Sequence, residues 1–163
     1  MPDNLNRMIQ LVTEFFDTRN DPDQISVTPH DRAKLESIHP ATMSEFVEGD
    51  GPVVWIMLIP TTKAIMDRFI TGAITEQQLL NETNPGMVYD TIYLCSASVL
   101  PEYRRKGLAK KITIDAINAI RKDHPITTLF YWPFSDDGRN LAQSISEETG
   151  LPLFEKNEPT SHS

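Results

Sequence analysis

The sequence predicts an α+β domain in which a mixed sheet is covered by helices on both faces. Two helical patterns come first and strand patterns then alternate with helical ones, which is the order typical of such folds. The chain has 163 residues, 39% apolar and 23% charged, which fits one domain over 1–163. No apolar run approaches the roughly 20 residues of a membrane-spanning helix, and we expect no membrane partner.

The N-terminal part carries two helical patterns and a polar loop. Apolar residues at three- and four-residue spacings predict a helix over residues 4–17. The polar stretch 18–28 predicts a loop. Thr28 as the N-cap and Pro29 at the first helical position predict a short second helix over 29–38.

A turn and one strongly apolar strand follow. The turn is predicted at 48–52, and the strand over 53–59 is apolar on both faces, which is typical of a central strand. Pro60 lacks a backbone donor and is expected to end this strand.

Residues 61–86 predict a helical insertion before the next strand. Its first helix stops at Gly72, and its second covers 76–81 and opens with a capping box of Thr75 and Gln78. Most connections between strands are much shorter than this one. We expect the insertion either to cover a substrate cleft or to form the contact of a homodimer.

The second half of the chain alternates strands, rich in β-branched and aromatic residues, with helices. The predicted elements are strand 88–99, helix 107–121, strand 126–132, helix 138–148 and strand 151–154. Gly150 is expected to cap the last helix. The polar tail at 157–163 is expected to be frayed.

The charge of the chain argues against nucleic-acid binding. There are 23 acidic and 15 basic residues and the net charge is -8, so a polyanion would be repelled on average. Five of the 15 basic residues nevertheless lie within 104–111. Such a local island suits a small anionic ligand, although a solvated helix end would show the same cluster.

The most informative segment joins the strand ending at Val99 to the helix that begins near Gly107. Backbone amides at a helix start are unpaired and bind phosphate. Gly107 has no Cβ and lets a ligand approach the backbone, and Ala109 is small. The segment lacks both the Gly-Lys-Ser/Thr of a P-loop and the three glycines of a dinucleotide fingerprint.

The pattern Arg104-x-x-Gly107-x-Ala109, just after Val-x-Pro-Glu-Tyr, resembles the acyl-CoA-binding motif of the GNAT superfamily of N-acyltransferases. The order of strands and helices extends this resemblance over about residues 88–155. The resemblance implies a GNAT-like fold, acetyl-CoA as co-substrate, and direct transfer of acetyl to a primary amine in a ternary complex. A non-catalytic acyl-CoA-binding or regulatory module stays open as the alternative.

The resemblance also implies where acyl-CoA would lie. The pyrophosphate would contact the backbone of the basic loop, pantetheine would follow the end of the preceding strand, and the thioester would enter a gap between the strands carrying Val99 and Tyr131. The implied cofactor-binding residues are Ala97, Ser98, Val99, Arg104, Arg105, Lys106, Gly107, Leu108, Ala109, Lys110, Arg139 and Asn140.

The sequence departs from the family at the residue that commonly protonates the departing thiolate. Alignment on Ala142 and Gly150 places Ser146 where many members have a tyrosine. Ser146, Tyr131 and bound water therefore stay open as the general acid.

The candidate general base is Glu48, with Asp50 and Asp90 as further acids, although solvated loop acids would look the same. The first 50 residues carry ten acidic and four basic side chains, a border that would attract a cationic amine such as a polyamine. The four histidines lack metal-ligand spacing and Cys95 is the only cysteine. We therefore expect no metal and a reducing, cytoplasmic location.

Overall fold

A mixed sheet with helices forms the part of the chain that the computed structural model describes, which is residues 3–19, 29–133 and 136–156. The strands are β1 (Met43–Glu48), β2 (Gly51–Thr61), β3 (Thr91–Val99), β4 (Thr128–Tyr131) and β5 (Leu153–Glu155). The helices are α1 (Asn4–Arg19), α2 (Pro29–Ile38), α3 (Lys63–Ile70), α4 (Glu76–Glu82), α5 (Leu108–Asp123) and α6 (Asp136–Thr149).

The five strands lie side by side in chain order. β1, β2 and β3 pair antiparallel, whereas β3, β4 and β5 pair parallel. Ile92 and Tyr93 point to opposite faces, and neither has exposed surface, so both faces of β3 are covered. The predicted α+β class with a mixed sheet is therefore confirmed.

Different helices cover the two faces of the sheet. The ring of Phe130 lies 5.9 Å from that of Phe69 on α3, whereas Tyr131 borders a cavity together with Ser146 of α6. Because successive residues of a strand point to opposite faces, α3 and α6 lie on opposite sides of the sheet. α5 contacts α6.

The two N-terminal helices are present as predicted. α2 has the predicted bounds, and α1 continues two residues past the predicted end, to Arg19. Thr28, the predicted N-cap, lies outside the described residues, as do most of the predicted loop and the tail. None of the described helices is both long and apolar enough to cross a bilayer.

The prediction that Pro60 ends the central strand is wrong, because β2 continues to Thr61. The carbonyl of Thr61 accepts a hydrogen bond from Asp90 next to β3, so the backbone of Pro60 faces the other side. On that side the pairing with β1 starts only at Met57. The missing N–H of Pro60 therefore interrupts no ladder.

Strand β1 was not predicted, and three strand bounds differ from the prediction. β3 begins at Thr91, β4 covers only Thr128–Tyr131, and β5 covers Leu153–Glu155. β1 is half-buried at best along its whole length and carries no apolar alternation that would mark it. Its pairing with β2 is what makes it a strand.

The predicted insertion contains the two predicted helices, α3 and α4. Thr75 and Gln78 form the predicted capping box with both reciprocal bonds. The two helices pack on the sheet rather than standing away from it, since Phe69, Leu79 and Leu80 have no exposed surface. The insertion is therefore part of the hydrophobic core.

Candidate functional site

The pairing between β3 and β4 stops before β3 ends, and we call the region beside the unpaired part of β3 the gap. The two strands pair only from Thr91 opposite Thr128 to Leu94 opposite Tyr131. β3 then continues to Val99, whereas β4 ends at Tyr131. Ligands of open α/β sheets commonly bind outside the carboxyl ends of the strands, so this region is the candidate ligand-binding site.

A β-bulge marks the point where the gap begins. Met57 of β2 lies opposite Ser96, whereas its neighbour Leu58 lies opposite Leu94, so Cys95 is the extra residue of β3. A bulge bends its strand and is common beside functional sites. The second half of β3 is therefore free to diverge from β4.

The backbone of β3 next to the gap alternates between two partners. Leu100 donates its N–H to the carbonyl of Val53 on β2. By the alternation of an antiparallel ladder, Ser98 also turns its backbone toward β2, whereas Ala97 and Val99 turn theirs toward the gap. The carbonyl of Val99 is occupied by the Nε of Arg104 at 3.1 Å. The amides of Ala97 and Val99 line the gap.

The basic loop after β3 leaves its backbone donors open. Within the described part of the chain, the N–H groups of Arg105 and Gly107 through Lys110 donate to no acceptor. The first helical N–H with a partner is that of Lys111, which donates to the carbonyl of Gly107 at 3.0 Å. The start of α5 is therefore a set of amides that an anion could take.

Gly107 is required here by backbone conformation. Its φ is +75, in the left-handed region that favours glycine, and it occupies the N-cap position of α5 without a side-chain bond. A Cβ built on Gly107 would meet no protein atom within 4 Å. Among the residues that the structure describes, Arg105 is the one non-glycine residue with positive φ, at 64, and it lies in the same loop. Such outliers cluster at binding sites.

Two of the basic side chains in the loop form no ion pair with the described part of the protein. Arg105 and Lys106 form no ion pair among the described residues, and Lys106 lies over the ring of Tyr103 at 5.4 Å. In contrast, Lys110 pairs with Glu148 at 3.1 Å, which places this predicted ligand of acyl-CoA against α6. Arg105 and Lys106 are the cations left for an anion.

A carboxylate next to the loop ties it to α1. Arg7 donates two hydrogen bonds of 2.6 Å to the Glu102 carboxylate. This guanidinium lowers the pKa of Glu102 to about 2. Glu102 therefore stays ionised and ties the loop to α1.

Two of the three predicted catalytic residues lie together. A cavity of about 330 Å³ is lined by Tyr131, Gln143, Ser146, Glu147, Leu153 and Glu155. The Tyr131 hydroxyl donates to Glu155 at 2.8 Å. Burial, and then this hydrogen bond, raise the pKa of Tyr131. Tyr131 is therefore protonated at neutral pH and has a proton to give.

Ser146 has its proton engaged elsewhere. Its hydroxyl donates to the carbonyl of Leu151 at 2.6 Å, which closes the end of α6. In the first part of the same helix, the Nε of Arg139 lies 3.8 Å from the Oε2 of Glu155. Asn140 is exposed beside Arg139. Both hydroxyl protons are therefore engaged, that of Ser146 with a backbone carbonyl and that of Tyr131 with the Glu155 carboxylate. Of the two residues, Tyr131 is the one at the end of β4 beside the gap.

The structure does not bring Glu48 to this cluster, so its prediction as the general base is corrected here. Glu48 ends β1 and is exposed. β2 and β3 lie between β1 and β4, which at strand spacing separates Glu48 from Tyr131 by about 14 Å. Asp50 accepts the backbone N–H of Asn4. Asp90 precedes β3, at the end opposite Val99.

A buried carboxylate beside the bulge was missed by the sequence analysis. Glu76, the first residue of α4, is 1% exposed. It accepts a hydrogen bond of 2.5 Å from the Tyr93 hydroxyl, and the Cys95 Sγ lies 3.9 Å away. An acid in the first turn of a helix usually faces solvent. No local pattern predicts that tertiary packing buries this one.

Within the described ranges, no three His, Cys, Asp or Glu side chains come together as metal ligands. No protein-family model matches the chain, and no curated protein sequence matches it either. The functional inference therefore rests on the loop, the gap and the cavity at the carboxyl ends of the parallel strands.

Proposed function

We propose that this chain is an acyl-CoA-dependent N-acyltransferase that transfers acetyl from acetyl-CoA to a primary amine. The observation that carries the proposal is the set of open amides at Gly107 to Lys110, directly beside a strand pair that separates after Leu94 and Tyr131. The amides suit a diphosphate, and the gap suits a narrow chain attached to it.

In this proposal the charged end of acyl-CoA lies on the loop. The N–H groups of Gly107, Leu108 and Ala109 donate to the pyrophosphate, and Arg105 with Lys106 neutralises its charge. The pantetheine amides pair with the backbone of Ala97 and Val99, which faces the gap, rather than with Ser98, which faces β2. This pairing carries the thioester toward the bulge at Cys95.

Direct transfer in a ternary complex needs few protein groups. An uncharged amine nitrogen attacks the thioester carbon, the new C–N bond forms, the C–S bond breaks, and the proton lost by nitrogen ends on sulfur. Tyr131 ends β4 beside the gap and keeps its proton because its pKa is raised. We assign Tyr131 as the donor to the leaving sulfur: its hydroxyl turns from Glu155 to the sulfur, and the proton that the nitrogen loses then restores the hydroxyl.

The alternative is a binding or regulatory module that holds acyl-CoA without turning it over. Two observations favour it: the Ser146 hydroxyl donates to the Leu151 carbonyl, and Glu48 lies far from Tyr131. The two functions differ in one measurable respect. Only an acyltransferase releases free thiol when an amine is added.

The test measures binding and turnover separately. Acetyl-CoA at 100 times its Kd should stabilise the protein by about 2.7 kcal/mol, seen as a rise in Tm. Replacing Arg105 and Lys106 by Gln should reduce that rise, whereas Lys122→Gln, an exposed cation in the last turn of α5, should not. Thiol release with an amine panel then decides between enzyme and module. No rise in Tm with acetyl-CoA overturns both.

A further inference from the structure

The ammonium group of Lys156 lies over two aromatic rings. Its Nζ is 4.5 Å from the centre of the Trp132 ring and 5.2 Å from that of Phe69. A cation within about 6 Å of a ring centre is attracted to the ring face. We call the rings of Phe69 and Trp132 the ammonium cage.

Among the described residues, the partners of the Lys156 ammonium group are two aromatic faces. Lys156 is half-buried and forms no ion pair among the described residues, although the chain has 23 acidic residues and a net charge of -8. A surface lysine in so acidic a protein would ordinarily meet a carboxylate. The two rings therefore form a surface that attracts an ammonium group.

The cage lies beside the gap but on the opposite face of the sheet from Tyr131. Trp132 directly follows Tyr131 at the end of β4, and Phe69 belongs to α3. The backbone N–H of Lys156 donates to the Tyr131 carbonyl at 2.9 Å. This bond fixes the lysine backbone at the end of β4, so the side chain alone occupies the cage.

We propose that the ammonium cage binds the protonated end of an alkyl diamine, and that Lys156 occupies the cage until the diamine displaces it. This inference rests on the proposed acyl transfer and names its acceptor. A protonated nitrogen has no lone pair, so the caged nitrogen is not the one acylated. The second, uncharged nitrogen of the diamine attacks the thioester carbon in the gap, with C–N formation, C–S cleavage and transfer of its proton to sulfur.

The acidic character of the chain supports a cationic amine as the ligand. The net charge of -8 attracts a diamine from solution. Lys156 then competes with the diamine for the cage. The protein should therefore have a low affinity for any amine that lacks the charge or length to displace Lys156. Removing the lysine charge should expose the cage.

Trp132 reports on the cage once the other tryptophan is removed. The chain has two tryptophans, so a Trp55→Phe background leaves the Trp132 signal alone. The probe is 1,4-diaminobutane, added to the full chain without acyl-CoA, and its neutral match is 1,4-butanediol. Lys156→Ala opens the cage, Lys156→Met keeps the side-chain stem on the rings in case the alanine variant folds poorly, and Lys156→Arg keeps a cation in place.

We expect saturable Trp132 fluorescence changes with the diamine in Lys156→Ala and Lys156→Met. If Lys156 fills the cage nine-tenths of the time, the apparent Kd should be about tenfold lower than in Lys156→Arg or in the exposed-lysine control Lys122→Ala. Butanediol should give no saturable change. An unchanged Kd in both Lys156→Ala and Lys156→Met, or an equal response to butanediol, overturns the cage.

The two proposals fail in different ways. If diamine binding depends on Lys156 but no thiol is released from acetyl-CoA, the cage proposal stands and the acyltransferase proposal is wrong. If thiol is released and the KM for the amine is the same in the parent protein and in Lys156→Ala, the acyltransferase proposal stands. In that case the cage is not its acceptor site.

Discussion

The starts of α4 and α5 meet the same physical requirement in different ways. At α4, the Thr75 hydroxyl accepts the N–H of Gln78 and the Gln78 side chain accepts the N–H of Thr75. At α5, Gly107 stands at the N-cap with positive φ and makes no side-chain bond. Both helices leave backbone donors unpaired at their first turn, but only α4 satisfies them from within.

The difference shows which helix start is available to a ligand. The capped start of α4 carries a buried carboxylate, Glu76, that is itself hydrogen-bonded to Tyr93. The open start of α5 faces solvent and is flanked by Arg105 and Lys106, which form no ion pair among the described residues. One helix start serves the core, and the other is the one that the proposed acyl-CoA would use. Four predictions test this contrast, in order of decreasing expected effect.

Glu76→Ala should have the largest effect on stability. It removes the carboxylate that accepts the buried Tyr93 hydroxyl, and loss of a buried partner costs about 1–3 kcal/mol of unfolding free energy. Urea denaturation measures the change. Glu76→Gln, which keeps an acceptor oxygen, should cost less. Equal losses in the two variants would show that the hydrogen bond to Tyr93 does not matter.

Gly107→Ala should have the next largest effect, and it should change both stability and acetyl-CoA binding. A Cβ at positive φ costs about 1–2 kcal/mol and would project toward the bound anion. Gly86→Ala is the matched control, because Gly86 has φ +90 and equally open surroundings. Thermal unfolding should show similar losses in both variants. Acetyl-CoA affinity, measured by calorimetry, should fall only in Gly107→Ala.

Thr75→Ala should cost about 1 kcal/mol of unfolding free energy, because it removes the N-cap of α4. Thr75→Ser, which keeps the hydroxyl, serves as the control and should stay close to the parent protein. Chemical denaturation measures both. The affinity for acetyl-CoA should not change, since α4 lies outside the open loop. A large loss of affinity in Thr75→Ala would contradict the division of roles between the two helix starts.

Loss of the ion pair between Arg7 and Glu102 should have the smallest effect, which is present near neutral pH and disappears at acid pH. The pKa of Glu102 is lowered from 4.5 to about 2 in the folded protein, so its stabilisation is complete above pH 4.5 and is lost as the pH falls toward 2. Arg7→Gln should therefore be less stable than the parent near neutral pH, with the difference shrinking between pH 4.5 and 2. A difference in urea midpoint that stays constant over this range would contradict the pair.

Local signals in the sequence predicted the helices well. Pro29 at a helix start, the Thr75 and Gln78 box, and Gly150 after α6 each act within one turn of the residue that carries them. Gly150 has φ 74 and ends α6 as expected. Such signals depend on hydrogen bonds between residues close in the chain, so the sequence is enough to find them.

The strand bounds and the buried polar contacts could not be predicted in this way. β1 is a strand because β2 lies beside it, and β2 passes through Pro60 because that edge has no partner there. Glu76 and Lys156 both look like solvent-exposed charges in sequence. One is buried under β3 and the other lies on two rings that come from α3 and the end of β4.

The amino-acid order alone determined the α+β class, the positions of the helices and the basic loop around Gly107, because propensity, capping and charge act over a few neighbouring residues. Only the tertiary structure decided where β3 leaves β4, which hydroxyl keeps its proton and which cation the rings of Phe69 and Trp132 hold. Those features join residues far apart in the chain, and their energies exist only once the sheet has brought them together.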